Sequence, residues 1–443
     1  MALNRFFGRK KVDSNDPGTA PDTGIDGDET EDDSAYAEEG PPEDIAERRW
    51  RDRAAAVLPT GASTGSKRPL ALYGDETGDA PTHFVSASGC RVVDVDGNRF
   101  LDCTMALGSV ALGYSEPSVV QAVVAAASEG NVSALSSWRE VTLAERLCAI
   151  IPCAERVQFL KSGAEATSAA VRLARAYTGR THVVGSGYFG WHDWSSDANG
   201  VPHSTRHVFS RVPFDDMSAL DRAVELAGND LAAIVLEPVV EREPSEMWLL
   251  RARELCDAKG AVLIFDEVKT GFRVAPGGWQ EVSGVTPDVA AFGKAMANGY
   301  PLSAVVGREP IMAAARDTWI SSTLASESTA LAAALAVLDW HDKADICATL
   351  AETGRDMRAA VDRAIMASGI DGVSTWGIDQ MWMMRWDDPA MESRFLMRAL
   401  EDGVLFKRGA YNYAAVAHDD DALQQIEAAA SAALVTLVEE NAE

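Results

Sequence analysis

Apolar side chains recur along this chain in two periods, and the switches between them predict its elements. Short, largely apolar runs at Val157–Leu160, His182–Ser186, Ala232–Pro238 and Ala261–Glu267 show little alternation. Such runs suit strands buried on both faces of a parallel sheet. Between them the apolar positions fall three and four apart, which predicts amphipathic helices ending at Tyr177 and spanning Met217–Ala227 and Met247–Ala258. Strand alternating with helix in this way predicts a doubly wound α/β fold.

The flanks read differently. Cys90–Cys103 predicts a hairpin turning at Asp96-Gly97, followed by helices over Val119–Ala127 and Leu143–Ile151. A charged helix is expected from Pro42 to Leu58. After Arg308 the pattern turns helical, with Leu331, Leu335 and Leu338 on one face of a helix ending near His341. The C-terminal region predicts a helix over Ala344–Ser368, short strands near Val373 and over Met381–Trp386, and a last helix from Asp421. The divisions expected are an acidic tail at 1–44, an N-terminal segment of a small domain at 45–110, a large domain at 111–340 and the rest of the small domain at 341–443.

Composition narrows the partners. The chain has 443 residues, 47% apolar and 24% charged, enough for a large core and more than one domain. Net charge is −27, and residues 13–44 alone carry 13 acidic side chains with no Lys or Arg, so nearly half the excess lies in a tail expected to be disordered. An acidic surface argues against nucleic acid or an anionic membrane as partner. The six cysteines form no C-x-x-C pair and read as free thiols. With no signal-like or membrane-spanning apolar run, the expected location is the cytoplasm.

The chemistry gathers at strand ends. Asp266 closes one apolar run, and Lys294 follows another, Val289–Phe292. Ligands of open α/β sheets bind at the carboxyl ends of strands. A carboxylate and an amine in one crevice are what pyridoxal phosphate requires: a lysine for its aldehyde and an acid for its ring nitrogen. Ser162-Gly163-Ala164-Glu165 stands between a strand and a helix, where free N–H groups face an anion. The same four residues also fit an ordinary capping box. Gly185, Gly187 and Gly190 have the spacing of a dinucleotide fingerprint, but the residues after them, WHDWSSDANGVP, do not continue as a helix. No H-E-x-x-H or Cys/His ligand spacing occurs, so no metal site is expected.

Two stretches, Ala261–Gly299 and FLKSGAEATSAAVRLARAYTGR at Phe159–Arg180, together resemble the class III pyridoxal-phosphate aminotransferases, and within them the glutamate-1-semialdehyde aminomutases and their relatives. The similarity runs from about Leu58 to the C-terminus. It implies the fold type I architecture, with a mixed, mostly parallel sheet in the large domain and a smaller α+β domain. It further implies Lys294 as the Schiff-base lysine, Asp266 at the pyridine nitrogen, Val268 on one ring face and Tyr188 stacked on the other. Ser162, Gly163 and Ala164 correspond to the phosphate cup. Thr323 corresponds to the threonine that reaches the phosphate of a neighbouring subunit's cofactor, which implies a homodimer with shared active sites. The substrate side is matched loosely, through Ser63, Lys67 or Arg68 and through Glu237. Ala325-Ser326-Glu327 departs from the aminomutase Ser-Gly-Asn, leaving Glu327 to meet a different polar substrate. Three readings follow: amino transfer from a donor to a carbonyl acceptor, an intramolecular aminomutase, and a non-catalytic relative that keeps only the fold.

Overall fold

The structure is a computed structural model that describes residues 47–74, 78 and 80–442. The acidic tail and the beginning of the helix expected from Pro42 lie outside the described residues; the helix described is Glu47–Val57. Fourteen strands follow in chain order among the described residues: β1 Phe84–Ser88, β2 Arg91–Asp94, β3 Arg99–Asp102, β4 Arg156–Leu160, β5 His182–Ser186, β6 Phe209–Arg211, β7 Leu231–Leu236, β8 Val262–Asp266, β9 Val289–Phe292, β10 Ser303–Gly307, β11 Val373–Ile378, β12 Met381–Trp386, β13 Val404–Leu405 and β14 Asn412–Tyr413.

Seven strands form the central sheet in the order β4-β10-β9-β8-β7-β5-β6. All run parallel except β10, which is antiparallel to both β4 and β9. Every residue of β7, β8 and β9 is buried, as their unbroken apolar runs require. Alternate residues serve the two faces. Val183, Val235, Ile264 and Val305 pack beneath helix Gly163–Thr178. Val184, Leu236, Leu263, Phe265 and Val306 join the core that holds helices Met217–Ala227, Glu246–Lys259 and Ser328–Lys343. Each such side chain contributes about 1.5–3 kcal/mol when fully buried. No helix among the described residues is long and apolar enough to cross a membrane.

Strands β6 and β10 lie beyond what the sequence reading foresaw. Two of the three residues of β6 are polar, and β10 begins on Ser and ends on Gly. β6 presents no apolar run, and the run in β10, Ala304–Val306, is too short to tell strand from helix. The helix Pro389–Glu401 and the two-residue strands β13 and β14 were likewise unforeseen. β13 joins the C-terminal region to an earlier segment by pairing in parallel with β3 through Val404 and Leu101; β14 pairs with β12 within that region, and its Tyr413 N donates to Cys103 O at 2.8 Å.

Candidate active site

Strand register sets out the site. Leu236 of β7 pairs with Phe265 of β8, and Asp266 pairs with Ala291 of β9. Glu237 therefore stands one strand over from Asp266, and Lys294 lies three residues past Ala291 on the opposite side. On the far side of β7, Ser186 of β5 pairs with Leu236, so Tyr188 follows at the same edge. The carboxyl ends of four adjacent parallel strands thus present Tyr188, Glu237, Asp266 and Lys294 in a row. Lys294 begins a 3-10 turn with φ of +45°, a left-handed conformation that costs a lysine roughly 1–3 kcal/mol and is characteristic of functional sites. Asn298 closes this turn and ties it to a neighbouring segment: its side chain accepts from the N–H groups of Ala111 (2.9 Å) and Leu112 (3.0 Å) and donates to Gly113 O (3.0 Å).

The row is electrostatically dense. Asp266 is 5% exposed, and burial, reinforced by the Glu237 charge, pushes its carboxyl above the usual range. Asp266 Oδ1 accepts from Val268 N at 3.1 Å. Burial, aided by the nearby Lys269 ammonium, pushes Lys294 down to about 8, against the opposing pull of Glu237 and Asp266. Glu237 accepts from Tyr188 N (3.1 Å) and pairs with Lys269 Nζ at 2.6 Å. Glu267, next to Asp266, points elsewhere. It accepts from Trp279 N (2.8 Å) and Gln280 N (3.0 Å) and from the Thr270 hydroxyl, while burial still lifts it to about 7.

At the end of β4, Ser162 caps helix Gly163–Thr178, and the full capping box is present: Ser162 Oγ accepts from Glu165 N, and Glu165 Oε2 accepts from Ser162 N at 2.8 Å. The cap therefore occupies the serine hydroxyl and Glu165. The N–H groups of Gly163 and Ala164 have no acceptor among the described residues, and they stand where the helix dipole favours an anion. Ser303 Oγ donates to Ser162 O at 2.8 Å and fixes the turn to β10. Val268 packs against this turn, since a β-carbon at Gly163 would come within 2.9 Å of Val268 Cγ1. Gly187 (φ +132°) and Gly190 (φ +87°) serve close approach rather than a nucleotide: a β-carbon would meet Glu237 Cβ or Ala164 Cβ at 2.4 Å, and a loop rather than a helix follows. Tyr188 is 73% exposed, whereas Phe189 is buried against Trp194. His192 hydrogen-bonds Ser168 Oγ at 2.6 Å.

The turn that starts helix Gly163–Thr178 and the strand-end row thus bring together Ser162, Gly163, Ala164, Tyr188, Glu237, Asp266, Val268 and Lys294. The remaining predicted residues stand apart. Ser63 and Lys67 are exposed; Lys67 lines a cavity of about 800 Å³ with Tyr73, Asp102, Leu107 and Lys407, and neither Asp266 nor Lys294 reaches its wall. Thr323 is exposed in the loop before helix Ser328–Lys343. Glu327 is the N-cap of that helix, accepting from Thr329 N (2.9 Å) and Ala330 N (3.1 Å) and pairing with Lys161 Nζ at 2.8 Å. Its carboxylate is thereby engaged within the protein.

Sequence reasoning missed Lys269, Arg273 and Tyr411. Arg273 is fully buried and donates to Ala414 O (2.7 Å) and Gly108 O (3.2 Å), tying the C-terminal segment to the 105–110 turn. No local signal marks Lys269 or Arg273 as buried, because their partners Glu237, Tyr411, Ala414 and Gly108 are distant in the chain.

The Aminotransferase class-III family matches residues 73–417. The chain is 36% identical over 390 residues to the 2'-deamino-2'-hydroxyneamine transaminase of Streptomyces kanamyceticus, covering 86% of this chain and 97% of that one. It is 31% identical over 430 residues to the glutamate-1-semialdehyde 2,1-aminomutase of Polynucleobacter necessarius subsp. necessarius, covering 87% and 98%. Among solved structures, the PLP internal aldimine form of the Sphingopyxis sp. MTA144 FumI protein matches with a TM-score of 0.85 at 28% identity, covering 90% of this chain and 98% of that one.

Proposed function

The chain belongs to the class-III aminotransferases, enzymes that depend on pyridoxal phosphate, and from that premise we propose that it transfers an amino group from a separate donor to the carbonyl of a small polar acceptor. When bound, the cofactor supplies an aldehyde that an amine can hold and a ring that takes up electrons. The residues present fit it. Lys294, with an amine pushed down to about 8, is half neutral near that pH and suited both to holding the aldehyde and to moving a proton. Asp266 would pair with the ring nitrogen, the free N–H groups of Gly163 and Ala164 with the phosphate, and Val268 and Tyr188 with the two ring faces. The observation that carries this reading is the register that puts Asp266 and Lys294 at the ends of adjacent parallel strands.

Transfer between molecules is favoured over transfer within one because Ala325-Ser326-Glu327 lacks the asparagine of the aminomutase Ser-Gly-Asn; Glu327 itself caps a helix and pairs with Lys161, so it does not replace that amide on the substrate side. Over nearly the whole chain, the 36% identity to the Streptomyces kanamyceticus transaminase against 31% to the Polynucleobacter aminomutase supports the same choice, although another aminomutase is 39% identical over a shorter 278 residues. The test is to load purified protein with pyridoxal phosphate and add single amines without an acceptor. Bleaching of the loaded cofactor by a simple donor amine, reversed by a carbonyl compound, is expected. A response confined to a molecule carrying both amine and carbonyl would favour the aminomutase, to which the 31% similarity also points. A protein that takes up no cofactor would be a scaffold.

The working unit in this proposal is a cytoplasmic homodimer in which Thr323 reaches the partner's cofactor phosphate. Exposed apolar residues support an interface: Leu135, Trp138, Trp319 and Leu324 lie on two segments that meet where Ser328 N donates to Asn131 O at 2.8 Å. Mixed Lys294→Ala and Thr323→Ala parents, once subunits exchange, should regain activity above the sum of the two, because one site of each heterodimer carries both defects and the other carries neither. Confirmed exchange with no gain would place Thr323 in its own subunit's site.

A further inference from the structure

A second buried lysine stands beside the first. Lys269 follows β8 by three residues, and its side chain is 11% exposed. Its ammonium meets Glu237 Oε1 at 2.6 Å, lies 3.3 Å from Tyr411 Oη and sits 4.5 Å from the centroid of the Tyr411 ring. The cluster therefore joins the ends of β7 and β8 to the C-terminal segment. Glu237 is shared: its other oxygen accepts from Tyr188 N, so the ion pair also fixes the backbone of the exposed aromatic residue. A buried pair of this kind is weak support for stability, because desolvation offsets most of its attraction. Lys269 lies three residues past Asp266, and Lys294 lies three past Ala291, the residue that pairs with Asp266, so the two lysines leave adjacent strand ends at equal separation along the chain.

We propose that Lys269 is a positioning residue for amino transfer, a fixed positive charge held by Glu237 and Tyr411 at the strand end next to that of Lys294, which also holds Glu237 in place to accept from Tyr188 N. The inference rests on Lys294 being the amine that holds the cofactor. The groups facing Lys294 are the Lys269 and Arg273 cations, which disfavour its protonation, and the Glu237 and Asp266 carboxylates, which favour it; burial and Lys269 outweigh the acids. Around Lys269 itself, burial opposes the charge, but Glu237, with Tyr411 and Tyr413 behind it, holds the ammonium protonated well above the usual lysine range. Lys269 thus remains charged across the range in which Lys294 titrates.

The test compares wild type with Lys269→Met, Lys269→Arg and the double variant Lys269→Met/Glu237→Gln, which removes the ion pair without leaving an unpaired buried charge. In full-length protein stripped of cofactor, acetylation of the Lys294 peptide by a limiting reagent is followed by mass spectrometry as a function of pH. Capture of added pyridoxal phosphate is followed by visible absorbance over the same range. Loss of Lys269 should raise the midpoint of both profiles by about one unit, equivalent to about a tenfold loss of neutral Lys294 near pH 7. The double variant should move the midpoint in the same direction by less, and Lys269→Arg should restore it. Unmoved midpoints in a folded Lys269→Met protein would overturn the proposal and leave Lys269 a structural ion pair; if that variant does not fold, the double variant decides by the same criterion. Borohydride trapping on a peptide other than that of Lys294 would instead refute the underlying assignment.

Discussion

The strand-end row and the wall built from Leu58–Tyr73 with Leu405–Lys407 are held by different means. At the row, β7, β8 and β9 are hydrogen-bonded neighbours buried on both faces, so Glu237, Asp266 and Lys294 inherit their positions from a rigid sheet. Its charges are buried and interact strongly. The wall is irregular: Ser63 and Lys67 are exposed, and the chain is fastened at points such as Lys407 Nζ to Ala71 O (3.0 Å) and Tyr73 Oη to Pro81 O (2.6 Å). Rigid strands suit chemistry that tolerates little misplacement, and loops suit recognition that varies between relatives. The row would serve transferase and aminomutase alike, so what separates them has to lie off it.

The largest effects are therefore expected at the row. Lys294→Ala should lower kcat by about 10³- to 10⁴-fold, on the scale of a lost proton-transfer group, while the protein still folds and binds the cofactor without a borohydride-trappable link. Asp266→Asn should retain the cofactor and slow proton abstraction by roughly 10³-fold, the scale of misplaced charge stabilisation, because a neutral partner no longer holds the ring nitrogen protonated. Single-turnover absorbance measures both. Near-normal turnover in either variant would show that the row does not run the reaction.

Lys67→Met tests the wall. If Lys67 meets the substrate only as a recognition group, KM should rise by about tenfold, the equivalent of one charge-assisted contact, with kcat little changed. A kcat loss as deep as that of Asp266→Asn would erase the distinction between wall and row. No change in either constant would assign the cavity beside Lys67 to something other than substrate.

The same contrast explains what could be read from sequence. Asp266 and Lys294 were legible because Asp266 closes one apolar run and Lys294 stands one glycine past another, and the burial of each run fixes where it ends. Ser162 was legible as a helix start, though sequence could not decide between cap and phosphate cup; the structure contains the cap, with only the Gly163 and Ala164 N–H groups left over. Lys269 was not legible, because its meaning depends on Glu237 and Tyr411, 32 residues before it and 142 after it in the chain. β10 escaped for a related reason: five residues bounded by Ser and Gly become a strand only through pairing with β4 and β9. Local pattern reports local burial, and tertiary partners decide the rest.

The smallest effect is expected at Glu327, and it bears on substrate recognition. From sequence this residue stood as a group to meet a polar substrate; in the structure its carboxylate caps helix Ser328–Lys343 and pairs with Lys161, with side chains 8% and 19% exposed. Glu327→Gln should therefore cost about 2 kcal/mol of stability, the sum of a weakened cap and a partly buried ion pair, and should leave kcat and KM unchanged. The pH dependence gives a second check. Burial works against the charge, but Lys161 and Thr329 hold the Glu327 carboxyl below its ordinary value of 4.5. A carboxyl depressed on folding stabilises the protein above its unfolded pKa, and that contribution is lost as pH falls through the lower folded value. The gap in urea midpoint between wild type and variant should accordingly be full above about pH 4.5 and close towards more acid conditions. Equal stability combined with a raised KM for one substrate would return Glu327 to the substrate wall, and the line between the two regions would have to be redrawn through the start of that helix.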